Sequence, residues 1–237
     1  MAVQLIDNHG FYGQFKVITH DEGISHHIIN NLIWEKHILN IINMYVKENT
    51  NFIDIGANIG CHCVGIEKLN KDKNVNIIAF EPQPFIHEIL DFNIKRNCSS
   101  YECFNVGLGE RSQTIYLDMP DYDSCKNPGG FGLNMSGNDH TKTKIQIETL
   151  DSYNYKNISV IKIDVEGLEN EVLKGSYDTI KQSKPVMIIE ILGGMPIEKA
   201  NDLEKKYIND TITHIKSLHY TVERISFSDY LCKPISA

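Results

Sequence analysis

The sequence predicts an α/β domain built on a mostly parallel sheet with helices on both faces. Two observations carry this: short runs rich in isoleucine, valine and phenylalanine alternate with segments of helical period, and several of those runs end in a carboxylate followed by glycine or proline. Strands separated by helices pair in parallel, and such sheets bind ligands at the carboxyl ends of their strands. With 237 residues there is enough chain for one sizeable core, so one domain is expected, residues 51–237, preceded by an N-terminal helical extension over residues 1–50.

The elements follow in order. Residues 11–27 are polar and rich in glycine and histidine, whereas Ile28, Leu32, Leu39, Ile42 and Val46 fall at helical spacing and predict a helix leading into the first strand. That strand lies in NFIDIGANIG at 51–60: Phe52, Ile53 and Ile55 suit a buried strand, while Gly56 and Gly60 permit a tight turn and close approach to a ligand before a helix from about Cys61. Val75, Ile77, Ile78 and Phe80 form a second strand, closed by Glu81, Pro82 and Pro84. A helix from about Pro84 to near Asn97 carries Phe85, Ile89 and Phe92 on one stripe, with Ile86 and Leu90 beside it. Residues 101–106 read as a third strand, and 113–117 with 144–149 as a pair suited to an accessory hairpin. The intervening loop 118–143, with Pro120, Pro128 and four glycines, is too long for a passive connection. Strands at 159–164 and 186–191, helices at 167–174 and 198–217, and a strand at 220–227 with a short terminal segment complete the pattern.

A formal charge of -8 argues against a long nucleic acid as principal partner, so nucleic acid is unlikely and neutral or cationic small molecules fit better. The six cysteines lack the paired spacing of a zinc ribbon and no secretory leader is evident, which points to a cytoplasmic protein. Cys61-His62-Cys63 looks like a metal cluster, but alternate residues at a helix start point apart and no second half follows; no metal is assigned there. No apolar run approaches the roughly 20 residues needed to span a bilayer.

Asp54, Glu81, Asn105, Asp164 and Glu190 all fall at or near strand ends and would ring one crevice. The glycine spacing of Asp54-Ile55-Gly56-Ala57-Asn58-Ile59-Gly60 departs from the G-x-G-x-x-G of dinucleotide enzymes. A carboxylate before the first glycine suits a cationic ligand and Glu81 suits a ribose diol; S-adenosylmethionine has both. Each residue alone is as readily structural, Asp54 capping a turn and Glu81 solvated at a strand end.

Six ordered segments decide between these readings: FIDIGANIG at 52–60, AFEPQP at 79–84, NVGLGE at 105–110, TLDSY at 149–153, IKIDVEGLENEVLKG at 161–175 and PVMIIEI at 185–191. With them the chain resembles the FkbM family of S-adenosylmethionine-dependent methyltransferases from about residue 50 to 192. The resemblance implies a Rossmann-like class I methyltransferase with a seven-stranded sheet and reversed final strand, transferring methyl to oxygen in sugars or natural products. By matching position it gives Asp54, Gly56, Ala57, Asn58, Gly60 and Glu81 the cofactor role, with Asn105 and Gly107 as weaker candidates near adenine; the turn at Gly107 departs from the family's usual alanine or leucine.

Strand alternation puts Lys162 and Asp164 on one face. Asp164 is the preferred catalytic carboxylate, Lys162 a stabiliser of the developing alkoxide and Glu190 a second-rank site, while Glu166 is expected to support a helix start. The plainer alternative is a structural Lys162–Asp164 ion pair. His62, His140 and His26 or His27 rank below Asp164 as bases. A divalent metal on Asp164 and Glu190 is a minority alternative, and methyl transfer by positioning needs no strong base. The expected acceptor is a small molecule or glycan hydroxyl, with the 118–143 loop shaping its pocket through Tyr122, Phe131 and Asn134. Alternatives are a lipid, peptide or secondary metabolite acceptor, or a binding module without turnover. Apolar faces on the N-terminal helix or terminal strands are compatible with a homodimer.

Overall fold

Seven strands form the central sheet of the computed structural model, which describes residues 3–130, 142–192 and 198–235. In chain order the elements are β1 (Val3–His9), β2 (Gly13–Ile18), α1 (Ile24–Ile29), α2 (Lys36–Tyr45), β3 (Asn51–Ile55), α3 (Cys61–Leu69), β4 (Asn76–Phe80), α4 (Pro84–Asn97), β5 (Tyr101–Phe104), β6 (Gly107–Leu108), β7 (Gln113–Leu117), β8 (Thr143–Glu148), β9 (Ile158–Ile163), α5 (Glu169–Lys174), α6 (Tyr177–Ser183), β10 (Val186–Glu190), α7 (Asp202–Ser217), β11 (Tyr220–Arg224) and β12 (Asp229–Pro234). The sheet order is β11-β12-β10-β9-β3-β4-β5. β5, β4, β3, β9 and β10 run parallel, and β12 is antiparallel to both β10 and β11. The reversed strand implied by the resemblance is therefore β12.

Strand alternation divides the core into two layers. Ile53, Ile55, Ile161, Ile163 and Ile189 pack on one face with residues of α5, α6 and α7. Phe52, Val160 and Ile188 pack on the other with residues of α2, α3 and α4. This alternation also aims charge: Asp54 and Lys162 are register partners two residues beyond Phe52 and Val160, on the α2–α3 face. β7 and β8 pair antiparallel as predicted, joined by the short β6.

The N-terminal extension departs from expectation. β1 and β2 form an antiparallel hairpin where a helical extension is predicted, and the single helix through Ile28 and Leu39 is broken into α1 and α2. Asn31 (φ 59) and Glu35 (φ 39) take left-handed backbone between the two helices, and Leu32 is exposed. Tyr12, Phe15, Val17 and Ile28 are buried against Ile59, Val64, Ile86 and Ile89 of α3, α4 and their approaches. Packing of that size overrides the weak helical period of a polar segment. α6 is a further element without a predicted counterpart. Among the described residues no helix is long and apolar enough to cross a membrane.

Candidate active site

A cavity of about 530 Å3 opens at the carboxyl ends of β3, β4, β9 and β10. Its floor is the turn after β3. The Gly56 and Ala57 N–H groups both donate to the Phe80 carbonyl, at 2.9 and 3.0 Å, tying this turn to β4, and Asp164 N donates to the Ile55 carbonyl at 2.9 Å, tying it to β9. Gly56 has φ +81°, and a Cβ there would lie 1.8 Å from the Asp164 carbonyl oxygen. The absent side chain thus makes room for the loop after β9. Gly60, at φ +90°, begins α3 and lets Leu90 approach, so it serves packing and does not line the cavity, contrary to its expected ligand role. Ala57 and Asn58 are on the wall.

Glu81 is buried at the end of β4, with Asn58 N donating to Oε2 and Gln83 N donating to Oε1, each at 3.0 Å. Burial raises its pKa to about 7 against these bonds. The carboxylate is held in one orientation on the cavity wall, with lone pairs left for a diol. Gly107 lines the cavity with Val106 and Leu108, whereas Asn105 does not; its Nδ2 donates to the Glu81 and Pro82 carbonyls, at 2.9 and 3.1 Å, and fixes the backbone that presents Glu81.

Across the floor, Lys162 Nζ donates to Asp164 Oδ2 at 2.8 Å, and both residues line the cavity with Glu190. The ion pair expected as the plainer alternative is therefore part of the wall. Burial works against the Lys162 charge, but Asp164, Asp54 and Glu35 outweigh it and hold the ammonium protonated. Glu190 accepts from Ser228 Oγ at 2.9 Å; burial first, then Asp164, raises its pKa to about 9. Asp54 lies beneath this group and off the cavity wall. Cys63 Sγ donates to its Oδ2 at 3.2 Å, its Oδ1 has no hydrogen-bond partner among the described residues, and burial raises its pKa while Lys162 opposes. From there it acts on the cavity through its field on Lys162.

Glu166 also departs from expectation: left-handed at φ 52, it lines the cavity, and α5 is supported instead by Glu169, whose Oε1 accepts from Gly167 N at 2.8 Å. Burial, then Asp164, raises Glu166 to about 7. His62 is on the wall, its Nε2 3.6 Å from Glu35 Oε2, and burial pushes its pKa well down, leaving it neutral. Cys61 and Cys63 diverge from it, and among the described residues no three metal-ligating side chains converge.

Sequence reasoning missed one wall. Glu22, Gly23, Ile24, Trp34 and Glu35 come from the N-terminal extension and face the sheet's charged end. The signal was the chain's single tryptophan beside an acid, but no local pattern says where a connection between two short helices will dock. Lys126, Asn127, Gly129 and Gly130 close the cavity from the 118–130 stretch. Tyr122, expected in the acceptor pocket, anchors that stretch: it stacks on Phe85 at 4.3 Å and donates to Gln83 Oε1 at 2.9 Å. Phe131, Asn134 and His140 lie outside the described residues.

The model of the methyltransferase FkbM domain matches residues 54–222. This chain belongs to the FkbM methyltransferase family. It is 28% identical to hexuronic acid methyltransferase AglP of Haloferax volcanii over 79% of this chain and 75% of that one. The fold is similar to the crystal structure of methyltransferase FkbM from Methylobacillus flagellatus, with a TM-score of 0.54 and 18% identity over 79% of this chain; the chain spans 44% of that protein. The architecture is the class I methyltransferase fold and the donor is S-adenosylmethionine. The cavity fits that donor: Glu81 is preoriented for a ribose diol, and Val106, Leu108 and Phe80 give an apolar slot for a base.

Proposed function

We propose that this FkbM methyltransferase is an O-methyltransferase acting on a hydroxyl of a sugar or glycoconjugate. The observation that carries the reading is the Lys162–Asp164 pair with Glu190 beside it, on the cavity wall across the glycine turn from Glu81. Its relation to a hexuronic acid methyltransferase supports the acceptor class.

When bound, S-adenosylmethionine supplies an electrophilic methyl group on a sulfonium. Glu81 would hold the ribose end, and the backbone of Gly56, Ala57 and Asn58 would hold the amino-acid end. Asp164 would orient the acceptor hydroxyl and take its proton during methyl transfer. Lys162, kept charged by Asp164, Asp54 and Glu35, steadies the oxygen as it loses its proton. Positioning supplies most of the rate in such an in-line displacement. The cation that Asp164 meets is Lys162, which favours this scheme over a metal bridged to Glu190. We assign the protein to the cytoplasm, where its six unpaired cysteines would stay reduced.

Titration calorimetry and a labelled-methyl assay over a sugar panel test the reading. Glu81→Ala abolishes donor binding, whereas Asp164→Ala keeps binding and loses about 10²- to 10⁴-fold in turnover. A folded wild-type sample that binds no S-adenosylmethionine, or an Asp164→Ala variant with full turnover, would refute it.

A further inference from the structure

The two residues that orient Glu81 also hold the stretch that closes the cavity. Asn58 N donates to Glu81 Oε2 and Gln83 N donates to Glu81 Oε1, each at 3.0 Å. Gln83 stands at the N-cap of α4, yet its side chain makes no capping bond there. It is buried instead, and both ends of its amide reach the 122–130 segment: Nε2 donates to the Pro128 carbonyl at 3.1 Å, and Oε1 accepts from Tyr122 Oη at 2.9 Å. Asn58 meets the same segment at Gly129. A Cβ there would lie 1.9 Å from Asn58 Nδ2, so the bare backbone rests against that amide, whose Oδ1 accepts from Ile59 N at 2.8 Å.

Between Tyr122 and Pro128 the segment also reaches the N-terminal extension. Glu22 N donates to the Lys126 carbonyl at 2.8 Å, and Lys126 Nζ pairs with Glu22 Oε1 at 2.8 Å. That ion pair is exposed on both sides and adds little. The Gln83 amide is the stronger tie, because opening it leaves buried polar groups without partners. Lys126, Asn127, Gly129 and Gly130 line the cavity along this path, together with Asn58, Glu81 and Gln83. We propose that residues 122–130 form a strap that retains bound S-adenosylmethionine, and that Gln83 is a positioning residue that latches this strap to the Glu81 end of the cavity. The inference rests on the proposed placement of the donor ribose at Glu81. Gln83 reaches Glu81 through its backbone and the strap through its side chain, so a side-chain substitution frees the strap and keeps the bond to Glu81.

The test needs no acceptor. The full chain is loaded with labelled S-adenosylmethionine and chased with excess unlabelled S-adenosylhomocysteine, which gives the dissociation rate, while titration calorimetry gives Kd. Gln83→Leu removes both amide bonds and speeds dissociation by at least about 10-fold, with association changed less than about 3-fold. Tyr122→Phe keeps the ring on Phe85, loses one bond and speeds dissociation by about 3-fold. Added to Gln83→Leu, it has no further effect, because the two residues act through one latch. A residue that only stabilised the fold would lower the melting temperature and leave dissociation unchanged. A wild-type dissociation rate in folded Gln83→Leu, or a loss of affinity carried by slower association, overturns the inference. If Gln83→Leu does not fold, Tyr122→Phe decides, and a wild-type rate there overturns it equally. Glu81→Ala separates this outcome from failure of the donor placement: unchanged donor affinity in Glu81→Ala removes the ribose from Glu81, whereas lost affinity there with unchanged dissociation in Gln83→Leu overturns the strap alone.

Discussion

At Gly56 one missing methyl group lets two loops meet. A Cβ there would fall 1.8 Å from the Asp164 carbonyl oxygen, a backbone atom that cannot swing aside, at a φ of +81°. Gly56→Ala is therefore expected to cost at least about 2 kcal/mol and to displace Asp164, read as a lower urea midpoint together with reduced turnover. A variant with wild-type midpoint would show that the turn relaxes freely. Lys162 presents the opposite case, a buried charge surrounded by Asp164, Asp54 and Glu35. Lys162→Met removes the cation those carboxylates share and should destabilise the fold by about 3–5 kcal/mol, as breaking buried pairs does. Chemical denaturation settles the magnitude. The glycine's importance was legible in its motif, but its partner was not: sequence suggested a ligand, and the atom it accommodates belongs to residue 164, more than a hundred positions away. The surroundings of Asp54 were illegible for the same reason, since its neighbours Cys63 and Lys162 come from other elements.

Among the elements, the β1–β2 hairpin is hydrogen-bonded to α4 through Asn93, Arg96 and Asn97, and Asn93 is the buried one of the three. Asn93 is fully buried; Lys16 N donates to its Oδ1 at 2.6 Å, and its Nδ2 donates to the carbonyls of Lys16 at 2.9 Å and Ile59 at 2.8 Å. Replacing it leaves buried backbone groups without partners, so Asn93→Leu should cost about 2–4 kcal/mol and loosen the hairpin first. Hydrogen exchange of the β2 amides measures this, and protection equal to wild type would contradict it. α7 starts with a capping box in which Asn201 Oδ1 accepts from Leu203 N and Glu204 N. Here Asn201→Ala should cost about 1 kcal/mol in a thermal melt. The helix α4 was legible because its apolar stripe is long, whereas the hairpin was not, because a polar segment rich in glycine and histidine gains its order only from the α3–α4 surface it covers.

Over the whole molecule, the buried carboxyls set how stability varies with pH. Burial raises Glu35, Glu81, Glu166 and Glu169 from 4.5 to about 7, and Glu190 to about 9. A carboxyl with a raised folded pKa binds more protons folded than unfolded, so its stabilising contribution is full below the unfolded value and is lost as pH rises through the folded one. Burial lowers His62, His9, His87 and His214, which acts in the opposite direction below about pH 6.5. Lys162 stays charged throughout this range. The melting temperature of the ligand-free protein should therefore fall between about pH 7 and 9, and Glu190→Gln should flatten that fall. A Glu190→Gln profile parallel to wild type would place the titration elsewhere.

The sequence alone determined the alternation of strands and helices, the glycine turn, the carboxylates at strand ends and the family, because each is carried by spacing within a few residues or by an ordered series of motifs. Tertiary structure decided which of those groups share a cavity. It withdrew Asp54, Gly60 and Asn105 from the wall, turned Glu166 into it and added Trp34 and Glu35 from a segment with no motif. The physical reason is range: periodicity is a property of neighbours along the chain, whereas a site at strand ends is assembled by packing between elements far apart in sequence, and its charges acquire their strength only from the burial that packing creates.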